Sequence, residues 1–339
     1  MAAARYAWVL NLDADVELSA FARGAGDTYE PTRRVCETMQ PFAAELGAQL
    51  LGPSDIVIDA RPGAAIAPGV AKGYVGRAFC PTPRALRWLR RAGAAPEFEP
   101  DVGLLLRVNS RAFCAALGPM LPGARFVTDS AHARDVVRSE PPSFARDGQW
   151  RLKRAHGMAG RGQRVVRASQ PRDLTRDDAA FIDAAIREEG GLQIEPNASI
   201  VREYAMHAWL HRDGSRRVGQ LVTQQCDERG AWLGSQAVRD AHRFAAPATE
   251  PDSSRARACE FGLELDLGFV RAVLERQVHR AADALARDGY AGPFGLDAFV
   301  YRQADGHPAL HVASELNARY SMGFAVGFGR DSRGEFAVV

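Results

Sequence analysis

The hydrophobic pattern changes period repeatedly along the chain, and those changes outline its elements. An apolar run at residues 5–12, a helix-period stretch at 33–48 and a second apolar run at 55–60 predict a β-α-β opening. Residues 81–93 read as a helix, and 94–101, with its prolines, as a connection. The run 104–108 reads as a strand. A helix from Asn109-Ser110 to about residue 117, a strand at 125–128 and a short helix at 131–138 follow. Residues 149–154 then form a strand, a glycine-rich loop turns the chain, and a second strand returns at once. A helix at 177–189 stops at Gly190-Gly191. LQIEP makes a short strand that meets Pro196, and Asn197 turns the chain into long strands at 200–212 and 218–225. Residues 226–257 lack a sustained period and read as loops with one short strand at 231–238. Within 257–288, Leu267, Val270, Leu274, Val278 and Leu285 have helical spacing. Strands at 294–302 and 310–316 flank an Asp305-Gly306 turn and form a hairpin, and the tail after Gly323 reads as glycine-rich. The sum is an α/β (α+β) chain in three parts, 1–104, 105–192 and 193–339.

With 339 residues, 46% of them hydrophobic and 25% charged, the chain can bury several cores. A net charge of +2 gives no basic excess that would draw nucleic acid or an anionic membrane. The five cysteines, Cys36, Cys80, Cys114, Cys226 and Cys259, are odd in number and widely spaced. That spacing argues against a zinc ribbon or a disulfide framework and for a reducing, cytoplasmic setting. The first apolar run meets Asp13 and Asp15 too early for a secretory signal, and no stretch is long enough to span a bilayer. The expected partners are small molecules, with a homodimer as the one macromolecular contact left open.

Chemistry concentrates in the last hairpin. Alternate strand residues share a face, so Glu315, Asn317 and Arg319 point one way, and a register opposing Asp297 to Glu315 adds a second carboxylate. Two carboxylates and an amide oxygen repel one another unless a cation sits among them, and such hard donors suit Mg²⁺. Upstream, strand 149–154 ends in Lys153 and meets the loop AHGMAGRG. There Gly157, Gly160 and Gly162 let backbone amides approach phosphate oxygens. A Walker loop would need a Gly-Lys-Ser/Thr ending and a following helix, and neither is present; no G-x-G-x-x-G follows the first strand. Asn11, Asp13 and Asp15 read either as ligand groups at a strand end or as helix-capping acids. His207, His211 and His242 show no metal-ligand spacing.

These motifs, in this order, resemble the ATP-grasp superfamily, whose members place an acid on one late strand and an E-x-N-x-R-like segment on the next. The matching segment is ELNAR. The resemblance covers residues 105–329 and implies an ATP-grasp fold. In it, 1–104 is a Rossmann-like N-terminal domain, 105–192 a central subdomain with a glycine-rich lid, and 193–339 a C-terminal subdomain with the metal site. It further implies ATP with Mg²⁺, or Mn²⁺ as a substitute, the metal held by Asp297, Glu315 and Asn317. Arg319 would lie near the γ-phosphate and act on the acyl phosphate formed from it. Lys153 and the lid residues His156, Gly157, Met158, Gly160 and Gly162 would surround the phosphates. Gln193, Ile194 and Glu195 would meet the adenine and Glu203 the ribose. Where the family has a first lysine this chain has Arg111, a planar fork in place of a point charge. The implied activity is a carboxylate-amine ligase that joins a carboxylate to an amine through an acyl phosphate, releasing ADP and phosphate. A phosphotransferase on the same site and a non-catalytic nucleotide-binding regulator are the other classes.

Overall fold

The computed structural model describes residues 4–157, 162–167, 174–227, 232–238 and 265–329. Three sheets carry the architecture. The first is parallel, in the order β2 (Ile56–Val57), β1 (Tyr6–Val9), β3 (Val75–Ala78), β4 (Ala95–Pro96). Strand β1 is shorter than its apolar run because the chain passes from Asn11 straight into a helix, α1 (Ala14–Ala22). The long helix α2 (Arg33–Leu50) follows, capped by the Thr32 side chain on the amide of Val35. Helix α3 (Pro83–Ala92) is punctuated at both ends. Thr82 caps it, proline sits in its first turn, and Gly93 ends it at φ +87°.

Residues 104–108 correct the strand reading. They belong to helix α4 (Val102–Val108), whose N-terminus is capped by Asp101 accepting from Gly103, and Leu105 and Val108, three apart, are its buried face. A five-residue apolar run cannot distinguish the two periods, and the cap decides. Helix α5 (Arg111–Ala116) starts at Ser110, whose hydroxyl accepts from Phe113.

The second sheet is antiparallel, in the order β5 (Arg125–Val127), β8 (Leu192–Ala198), β6 (Ala145–Arg154), β7 (Gln163–Arg167). Helices α6 (Ser130–Arg138) and α7 (Arg176–Glu189) bring Val136, Val137, Ile182 and Ala185 into one core with Trp150, Leu152 and Ile194. Strand β8 runs through Pro196, where the sequence suggested a stop, and Pro196 lies opposite Trp150 of β6.

The third sheet has the order β11 (Trp232–Ala237), β10 (Arg216–Cys226), β9 (Ile200–Leu210), β12 (Gly292–Arg302), β13 (Pro308–Asn317). Every pairing is antiparallel. Helix α8 (Leu267–Arg287) packs Val270, Leu274, Val278 and Leu285 with Met206, Ala208, Phe294 and Leu296, and the same core continues to Trp8, Leu18 and Leu46 of the first layer. A short helix, α9 (Phe324–Phe328), forms in the tail that the sequence reads as glycine-rich. Most of the segment 226–257, with His242, lies outside the described residues.

Candidate active site

With one face of the third sheet given to α8, the other is free to carry polar groups. Asp297 lies directly opposite Glu315, and Gly295 opposite both Asn317 and His207, so these side chains form adjoining rows. Glu203 pairs with Gln224 on one side and Phe299 on the other and shares that face. Asn317 donates its amide nitrogen to Asp297 at 3.0 Å, and Gln224 donates to the other Asp297 oxygen at 2.8 Å. Burial raises the Asp297 pKa, Glu315 and Glu203 add repulsion, and the carboxyl is pushed up to about 7. The Asn317 bond uses the NH₂ group and leaves the carbonyl oxygen as an acceptor. Among the described residues no three His, Cys, Asp or Glu side chains are gathered as a ready metal site. The third oxygen-bearing side chain beside Asp297 and Glu315 is the Asn317 amide.

Cations come from the opposite wall. The amide of Arg111 donates to the carbonyl of Ala155 at 3.0 Å, docking α5 onto the end of β6. Its guanidinium is 5% exposed and donates through Nη2 to Glu315 at 3.2 Å, while Nε and Nη1 are buried without partners among the described residues. Such donors are costly to leave unmade. Lys153 pairs with Glu195 at 2.5 Å, and Gln193 donates to the other Glu195 oxygen at 2.7 Å. Burial lowers the Lys153 amine against the pull of Glu195. Burial also opposes ionisation of Glu195, but Lys153 and Gln193 outweigh it and hold that carboxyl below its usual range.

The loop after β6 is anchored at its base. Glu189 accepts the His156 amide at 2.9 Å, Arg154 at 3.1 Å and the Ser19 hydroxyl at 3.0 Å. Burial opposes its ionisation, yet these bonds bring the Glu189 carboxyl down to about 2. The His156 ring nitrogen Nε2 meets the Leu106 carbonyl at 3.0 Å. Gly162, at φ +73°, returns its carbonyl to the Arg154 amide at 2.9 Å, closing the loop. Met158 and Gly160 lie outside the described residues. Gly157, His156, Arg111, Asp15, Glu315 and Asn317 line a gap of only about 10 Å³, room for one water.

Three expectations need correction. Ile194 is fully buried in the second sheet's core and, with Gln193, is flanked by β5 on one side and β6 on the other. Neither residue leaves an open backbone edge for a base. Only Glu195, past the end of β5, has one free side. Arg319 does not stand free in the cleft. It donates to both oxygens of Asp15, at 3.2 and 2.6 Å, and to the Tyr320 carbonyl at 3.0 Å, and it lies 5.1 Å over the Phe79 ring. Asp13 and Asp15 do not cap α1 through their side chains: Asp15 holds Arg319, and Asp13 holds Arg84 at 2.5 Å.

Glu189, Gln224 and His311 were not anticipated. His311 packs edge-on to Phe299 at 5.1 Å, and burial pushes its ring down to about 4. His207, placed among scattered histidines by the sequence, is wholly buried under Gly295, Gly323 and Gly327, with both ring nitrogens unpartnered among the described residues, and burial pushes its pKa down to about 3.

The sequence matches no protein-family model and no curated protein. Its structure matches a biotin carboxylase from Campylobacter jejuni, solved as a β,γ-ATP complex, with TM-score 0.50 and 13% identity over 97% of this chain and 72% of that one. It also matches Rhizobium etli pyruvate carboxylase, with TM-score 0.50 and 14% identity over 98% of this chain and 28% of that one. At these identities the likeness is one of architecture, and it agrees with the three sheets and the cleft between them: the chain has the ATP-grasp fold.

Proposed function

We propose that the chain is an ATP-dependent ligase that activates a carboxylate as its acyl phosphate and passes the acyl group to an amine. The observation that carries this reading is the unfinished pairing across the cleft. Asp297, Glu315 and Glu203 crowd one wall, and Arg111 on the other wall has two buried donors without acceptors. Bound nucleotide completes both sides. Phosphate oxygens would accept from Arg111, Lys153 and the amides near Gly157 and Gly162, and a divalent cation would fit the oxygen donors Asp297, Glu315 and Asn317.

Mg²⁺ there would neutralise phosphate charge and raise the electrophilicity of the γ-phosphorus. The chain's own residues do the rest. Without ligand, Arg111 is held by Glu315 and Lys153 by Glu195. Turning these cations onto phosphate releases Glu315 for the metal and Glu195 for the nucleoside end. Glu203, half-buried on the same face, supplies a ribose acceptor. Asp15 fixes the Arg319 guanidinium near Asp297 and Glu315, where its charge stabilises the transferring phosphoryl group without moving. The carboxylate oxygen attacks the γ-phosphorus, ADP leaves, and the amine then displaces phosphate from the acyl carbon.

Hydroxylamine tests the reading. With Mg-ATP and a panel of amino acids and peptides as the carboxylate, it should trap a hydroxamate in step with ADP release. ADP release giving a stable phosphate ester and no hydroxamate would assign the site to a phosphotransferase instead.

A further inference from the structure

Behind Tyr320 lies a second cavity that the nucleotide cleft does not use. It measures about 180 Å³, opens between β3, α3 and the adjoining ends of β9 and β12, and shares no lining residue with the gap at Arg111. Leu86, Leu89, Phe98 and Trp209 give it apolar and aromatic walls. An apolar space of roughly 150 Å³ already accepts a benzene ring. A ring or a branched aliphatic chain therefore fits.

One end of the cavity is charged. The Arg77 guanidinium sits 3.5 Å over the Tyr6 ring and 5.6 Å from that of Trp209. It gives Nε and Nη2 to Glu97 at 2.7 and 2.8 Å, and Nη1 makes no hydrogen bond among the described residues. Arg212 donates to the Glu97 carbonyl at 3.2 Å and has no carboxylate partner among the described residues. Two guanidiniums thus face one carboxylate, a balance that favours an anion. Tyr320, 2% exposed, lines the same space, and its hydroxyl is buried with no partner among the described residues. The hydroxyl is closed off from the cavity as it stands, and a small turn of the ring toward a ligand acceptor would recover the hydrogen bond it lacks.

We propose that this cavity is a second small-molecule site that binds a carboxylic acid with an apolar or aromatic body, its carboxylate held between the Tyr320 hydroxyl and Arg77. The hydrocarbon part lies against Leu86, Leu89, Phe98 and Trp209. The site connects to the cleft through one ion pair. Asp15 lines the cleft, and its partner Arg319 holds the backbone carbonyl of Tyr320.

Calorimetry on the nucleotide-free full chain tests this directly, with 3-phenylpropanoate and 4-methylpentanoate as probes and their primary amides as uncharged controls. At least one acid should bind one per chain and at least ten times more tightly than its amide, and saturating ATP should not displace it. Tyr320→Phe removes only an unpartnered hydroxyl, so the fold is kept, and affinity should fall by roughly tenfold for a lost bond to a charged group. Leu86→Trp, which fills the space, should abolish binding. Absence of binding by either acid, equal binding of acid and amide, or wild-type affinity in both variants overturns the proposal. Displacement by ATP overturns the separation of the two sites.

Discussion

Two clusters of buried charge, one in the first layer and one in the cleft, are built from the same residue types and differ in how completely they are paired. Around Arg84, both oxygens of Asp13 and both of Glu17 have partners. Arg84 spends its donors on Asp13, Glu17 and the Ala60 carbonyl, Thr82 donates to Glu17, and Tyr29 donates to Asp13. No side-chain atom of that cluster is left alone. In the cleft, Arg111 keeps two empty donors, and Asp297 is pushed up to about 7 by burial and by neighbouring carboxylates. A buried network with every valence met joins elements together. One that is left charged and incomplete is the mark of a candidate binding site. Asp15–Arg319 connects the two regions, a satisfied pair with one partner on each side.

The comparison breaks most sharply at Glu315. Glu315→Gln should reduce turnover by roughly 10³-fold or more while leaving the thermal midpoint almost unchanged, because it removes a ligand group and no core. Turnover near wild type would end its assignment to the metal. Arg84→Ala should do the reverse, costing about 3–5 kcal/mol by stranding Asp13 and Glu17, with urea unfolding as the readout. A smaller effect should follow at the connecting pair. Arg319→Met should lower both stability and kcat, and adding Asp15→Asn should restore part of the stability but not kcat. If the second change restores both, Arg319 serves the fold alone.

A pH series sharpens the contrast further. Asp297 would ionise near 4 in the unfolded chain and near 7 in the folded one, so its folded-state advantage is full at low pH and is lost as pH rises through 7. Asp297→Asn should therefore match wild type near pH 4 and exceed it in thermal midpoint near pH 8, in the absence of nucleotide. Equal midpoints at both ends would mean that the carboxyl is not strained. The mildest change is Glu203→Ala, which should raise the KM for ATP with kcat kept, as expected for a contact that ground and transition states share.

Local chemistry made the acidic hairpin readable. Period-two patterning and an Asp-Gly turn set the register that opposes Asp297 to Glu315, and the structure has that register. Helix α3, read at 81–93, is found at Pro83–Ala92. What escaped depends on distance. Asp15 and Arg319 are 304 positions apart, and Glu189 reaches back 33 residues to the His156 amide, separations that no local period encodes. Gln193 and Ile194 failed for a related reason. Whether a strand edge is open depends on its neighbours, and β5 covers it. Composition carries one further signal for Lys153. Of 43 basic residues only Lys72 and Lys153 are lysines, and a chain so biased to arginine that keeps a lysine on a buried strand singles that position out.

The most direct test of the incomplete-cleft account is calorimetric binding of ATP to wild type and Glu315→Gln, each with and without Mg²⁺. Wild type should bind far more tightly with the metal, and Glu315→Gln should bind ATP about equally well in its presence and absence. A Glu315→Gln protein that keeps wild-type affinity for Mg-ATP and the full metal dependence would contradict the account.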